Sequence, residues 1–173
     1  MPSLGLEQVV FAAGAGFLSA LAAVGDARHR RIPNVQTVPA FVLGLACQTV
    51  FRGSEGLADA GLGFLIGFGT LFVLWLIGGG GAGDAKLMGA LSVWLGFRGT
   101  ETVLILSTVL VIAASVWLFA IRVARRSTAE GLPGAKSAAE SGTRRPRVIP
   151  YAIPVAIATW FVIGWNLVRA AVL

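Results

Sequence analysis

Residues 102–121 read TVLILSTVLVIAASVWLFAI, a run without a single charged side chain. At 1.5 Å per residue it makes a helix about 30 Å long, which matches the hydrocarbon core of a bilayer. The rest of the chain has the same character. Of 173 residues, 56% are hydrophobic and 13% charged, and the mean hydropathy of +0.82 lies far outside the range of a soluble globule. Apolar runs at about 8–25, 35–51, 60–77, 84–97, 102–121 and 148–168 predict an all-α, polytopic membrane bundle of about six transmembrane helices, in a single domain covering residues 1–173. The run at 84–97 is the shortest, about 21 Å as a helix. Omitting it would put the cations of 122–147 on the outer side, against their bias.

A net charge of +6 invites a nucleic-acid reading, but the placement of the charges opposes it. Arg28, Arg30, Arg31, Lys86, Arg122, Arg125, Arg126, Lys136, Arg144, Arg145 and Arg147 fall in the segments 26–34, 78–86 and 122–147. Arg52, Arg98 and Arg169 fall in the alternating ones. Basic loops stay in the cytoplasm, which puts both termini outside and makes the lipid bilayer, not nucleic acid, the partner of these charges. Glu7 precedes the first run with no Lys or Arg before it, so that run lacks the basic region of a signal peptide and is expected to be a retained helix. Residues 125–147 have no apolar period and are expected to form a flexible cytoplasmic linker. The Gly63-x-x-x-Gly67 spacing predicts close helix packing within the bundle.

Against this background two carboxylates stand out. Asp26 closes the first run and Asp84 opens the fourth, and the alternation of crossings brings both to the cytoplasmic interface. Ionisable groups at such a depth are costly and usually functional. Two carboxylates sharing a site hold one proton between them, so one takes a proton from water while the other donates to a peptide carbonyl. A bland account exists for each: Asp26 balanced by Arg28, Arg30 and Arg31, and Asp84 capping its own helix or paired with Lys86. The glycines at 78–83 leave the backbone free for an extended peptide to lie beside Asp84. They also match Gly-x-Gly-x-x-Gly, but after an apolar helix rather than a strand, so a dinucleotide site is not expected. Tyr151 lies on the same side, where an interfacial anchor is the common role.

Other chemistries lack their residues. Cys47 is the only cysteine and His29 the only histidine, which excludes an intrachain disulfide and the common zinc motifs, and no Gly-x-Ser-x-Gly elbow is present. Neither a metal nor a cofactor is expected.

The strings around the two aspartates resemble those of the type IV prepilin peptidases, membrane aspartic proteases of the Gly-x-Gly-Asp class. Asp26 followed by Ile32-Pro33-Asn34 is similar to that family's first motif, Gly81, Gly83, Asp84 and Lys86 to its second, and Pro150-Tyr151 to a Pro-Tyr near its last helix. The resemblance implies catalysis by Asp26 and Asp84, with Gly81, Gly83, Lys86, Ile32, Pro33, Asn34 and Tyr151 positioning the substrate. It implies a prepilin or pseudopilin partner, cleaved at the cytoplasmic face of a bacterial inner membrane. Longer members carry paired Cys-x-x-Cys motifs and N-methylate the product. This chain has neither pair and looks like the short, peptidase-only form of tight-adherence (Flp-type) pili, so methyltransferase activity is not expected. A silent assembly scaffold and a proton-coupled transporter are the competing classes; the oligomeric state is not legible.

Overall fold

The structure, a computed structural model, describes residues 5–29, 32–78, 80–129 and 151–172. The described residues form four helices: α1 (Leu6–His29), α2 (Asn34–Leu76), α3 (Ala82–Ala129) and α4 (Ala152–Val172). All four are long and apolar enough to cross a membrane. The expected count of six is therefore corrected to four, because the runs at 35–51 and 60–77 share α2, and those at 84–97 and 102–121 share α3. The expected linker begins inside α3, which stays helical through Ala129; residues 130–149 lie outside those described.

Two of the helices are not straight. Gly53 (φ 60°, ψ −138°) interrupts α2, and Gly96 (φ 66°, ψ −174°) interrupts α3. Both are conformations that only glycine adopts readily. Phe41 and Phe64, on the two arms of α2, have ring centroids 5.3 Å apart, although a straight helix would separate them by about 35 Å. The chain thus folds back at Gly53. Beyond Gly96 it folds back again, since Tyr151 reaches Ser107 on the second arm of α3 while lying within electrostatic range of Asp84 on the first.

The chain divides into two compact units, residues 1–108 with 150–173, and residues 109–149. In the first, α1 packs along α4 and against α2. Glycines set the closest approaches. Trp94 lies against Gly14 of α1 and Gly44 of α2 and donates its indole N–H to Ala40 O at 2.9 Å. Gly63 lies against the Gly96 backbone, and Gly67 against Met88, Ser92 and Thr100, so the Gly63-x-x-x-Gly67 spacing serves packing inside the bundle. Ser19, Ser92, Thr100, Ser107 and Thr159 are buried, whereas Phe17, Val35, Val50 and Leu65 are exposed. Small and polar inside with large and apolar outside is the arrangement for a lipid solvent. In the second unit, Val109, Ile112, Val116, Trp117 and Phe119 are exposed.

One end of the first unit carries the reversals. There Asp59 Oδ1 accepts the Phe97 N–H at 3.0 Å, a donor left unpaired where the helix restarts after Gly96. Arg52 pairs with Glu7 and lies 3.7 Å from Asp59, over the Phe11 ring.

A methyl group at Gly96 would collide with the Asp59 carboxylate as well as strain the backbone, whereas at Gly53 it would meet open space. Gly53→Ala is expected to cost about 1–3 kcal/mol and Gly96→Ala measurably more. Unfolding midpoints in mixed micelles will rank the two.

Candidate active site

The opposite end of the first unit gathers the residues singled out in the sequence. Asp26 lies in the last turn of α1 and is 8% exposed. Its Oδ2 accepts the Ala152 N–H at 3.2 Å. Ala152 is the first residue of α4, where backbone N–H groups have no partner within the helix. The carboxylate supplies one.

Asp84 occupies the first turn of α3. Gly81 caps that helix: its carbonyl accepts the N–H of Asp84 at 3.1 Å and of Ala85 at 3.4 Å. Asp84 Oδ2 also accepts the Gly81 N–H at 3.3 Å, which is the half of a capping box that reaches back to the N-cap. A Cβ on residue 81 would sit 2.8 Å from that oxygen, so glycine is what permits the approach. The capping account of Asp84 is thus realised, but it engages one oxygen only. Asp84 is half-buried and within electrostatic range of both Asp26 and Tyr151.

The two strings also touch. Lys86 Nζ donates to Asn34 Oδ1 at 3.1 Å, across 52 residues of chain. Ile32 lies over Gly83, 3.6 Å from where a Cβ would be. Pro33 is extended (φ −76°, ψ 144°) and turns the chain into α2. One local expectation changes: Lys86 bonds Asn34 instead of Asp84. Among the described residues the ion pairs are those of Arg52, and no described cation pairs with Asp26 or Asp84; Arg30 and Arg31 lie outside the described residues.

Tyr151 is tied into the bundle, with its hydroxyl 3.4 Å from Ser107 Oγ. Ser107 in turn donates to Leu104 O at 3.1 Å and is fully buried. It is a residue the sequence did not flag, one hydroxyl inside an uncharged run. Pro150 lies outside the described residues. Among those described, no three His, Cys, Asp or Glu side chains converge to hold a metal ion. A cavity of about 310 Å³ opens at the other end, beside Arg52, Trp94 and Asn166, and none of the expected site residues lines it.

The arrangement brings two carboxylates from different helices to one end of the bundle. Each has one oxygen fixed by a backbone N–H, and the strings that carry them are joined by a side-chain bond. If the Lys86–Asn34 bond is what joins them, Asn34→Ala and Lys86→Met remove the same interaction. The double variant should then unfold no earlier than the worse single variant, a coupling on the order of 1 kcal/mol in a double-mutant cycle.

The type IV leader peptidase family matches residues 4–118. The prepilin leader peptidase/N-methyltransferase of Xanthomonas campestris pv. campestris is 30% identical over 160 residues, which cover 87% of this chain and 47% of that protein. The chain thus spans about half the length of the curated relative it matches. No solved structure matches it. With more than half of its residues, both aspartate strings among them, inside the family match, the chain belongs to the type IV leader peptidase family.

Proposed function

We propose that this protein is a membrane aspartic endopeptidase that removes the leader peptide of type IV prepilins or pseudopilins at the cytoplasmic face. The observation that carries the reading is that Asp26 and Asp84, on different helices, lie at one end of the bundle, each held by a backbone donor. In the proposed reaction the pair shares one proton. The ionised member takes a proton from water as its oxygen attacks the scissile carbonyl, and the protonated member donates to the carbonyl oxygen. Collapse of the tetrahedral adduct breaks the C–N bond: the proton gained from water passes to the leaving amine, and a hydroxyl of the adduct returns its proton to the carboxylate that had protonated the carbonyl oxygen, which restores the one-proton pair. The glycine loop around Gly81 and Gly83, with Ile32, Pro33, Asn34, Lys86 and Tyr151, forms the wall against which the leader lies.

The topology follows from the two reversals. α2 and α3 are each far longer than a bilayer needs, and each breaks at a glycine near the Arg52 end. We read the folded-back arms of these two helices as lying side by side in a bacterial inner membrane, with the aspartates at its inner face and both termini outside. The lack of a second cysteine argues against the zinc-bearing region of longer members and so against N-methylation, and favours the Flp-type form. Aspartates at helix ends, not mid-span, disfavour a proton-coupled transporter.

The purified protein in lipid should cut a Flp-type prepilin before its apolar stem, as read by mass spectrometry of the leader. Asp26→Asn and Asp84→Asn should each lower kcat at least about 1000-fold, with the double variant no worse, because the two act as a unit. Variants that fold yet cut at the wild-type rate would refute the dyad and leave a scaffold. For topology, Ser54→Cys on a Cys47→Ser background should react with an impermeant maleimide from outside, and His29→Cys only after the membrane is opened. The reverse pattern, or labelling of both from one side, would refute that topology.

A further inference from the structure

Gln36 is the third residue of α2, two past Asn34, and neither sequence motif includes it. Its side chain turns back onto α1. A Cβ at Gly25 would lie 3.7 Å from Gln36 Oε1 and 3.9 Å from Nε2, so the carboxamide rests on the bare backbone next to Asp26. Oε1 is buried and accepts no hydrogen bond from the described residues. One other buried side-chain oxygen is in that position, Gln48 Oε1, but the Gln48 amide is anchored through Nε2 to Val93 O at 2.9 Å. Gln36 has no such anchor.

A buried amide oxygen without a donor weakens a fold, and such groups in native proteins call for an explanation. An apolar residue of the same length would fill the same space without that cost. The carboxamide presents an acceptor and a donor side by side, the complement of the N–H and C=O of a peptide group. From these observations we infer that Gln36 is a substrate-binding residue whose carboxamide, held by no bond at Gly25 among the described residues, turns toward the bound peptide and pairs with its main chain next to the scissile bond. The inference rests on the peptidase reading above. Main-chain pairing is indifferent to side chains, so it holds an extended leader at the height of Asp26 whatever its sequence.

The test uses the full-length protein in lipid, a prepilin-derived peptide, and Gln36→Met, which keeps the length and removes the amide. The expected result is a fall in kcat/KM of about tenfold, the worth of one or two such bonds, carried by KM with kcat within about twofold. The unfolding midpoint should stay level or rise. Peptides N-methylated at successive amides flanking the scissile bond supply the second arm. At one position methylation should weaken the wild type as much as Gln36→Met does, and weaken that variant no further. If Gln36→Met does not fold, Gln36→Asn, which draws the amide back by one methylene, should show the same rise in KM. An unchanged KM, additive losses at every methylated position, or a loss that tracks a lowered unfolding midpoint would overturn the inference while wild-type cleavage keeps the peptidase reading. A wild type that cuts nothing would overturn both.

Discussion

Everything at the Asp26–Asp84 end depends on what two glycines do at the other. A helix that simply continued through residue 53 would carry Phe64 some tens of ångströms from Phe41, and one that continued through residue 96 would carry Ser107 equally far from Asp84. The left-handed conformations of Gly53 and Gly96 fold each long helix into two arms, and the arms then pack glycine to backbone. The second reversal is secured from outside its own helix by the Asp59 carboxylate on the Phe97 N–H. A partly buried backbone donor left open would be costly, so the capping acid from α2 is part of the turn.

Hydropathy alone located the apolar runs and, through charge bias, the end where the two acids would meet. It failed on the connections. Residues 52–59 include Arg52, Ser54, Glu55 and Asp59, and read as a polar loop between two spans. Yet these residues are compatible with helix at a bilayer edge, so the break contracts to Gly53 alone. The same holds around Arg98 and Glu101 after Gly96. Positive φ at a single glycine leaves almost no trace in a chain with 23 of them.

The candidate site was legible in its identities and not in its bonds. Both aspartates and both flanking strings could be marked from their residues, and Asp84 could be given a capping role from its position alone. That Lys86 would bond Asn34 and not Asp84 depends on how the start of α2 meets the start of α3, which no local pattern encodes. Ser107 and Gln36 carry no signal at all: one is a small hydroxyl in an apolar run, the other an ordinary polar residue in a first helical turn. What distinguishes them is the neighbour each acquires, Tyr151 for the first and the bare backbone of Gly25 for the second.

The hydrogen bond from Ala152 to Asp26 joins residues 126 positions apart. During synthesis Asp26 enters the membrane early, and its donor is made only after both long helices have been laid down. Until α4 arrives, that carboxylate lacks the backbone amide that orients it, and Tyr151 is missing from its side of the bundle. Assembly order thus acts as a safeguard. An unfinished chain, even one containing the whole family-matching segment, lacks the Ala152 donor to Asp26, which arrives only with α4.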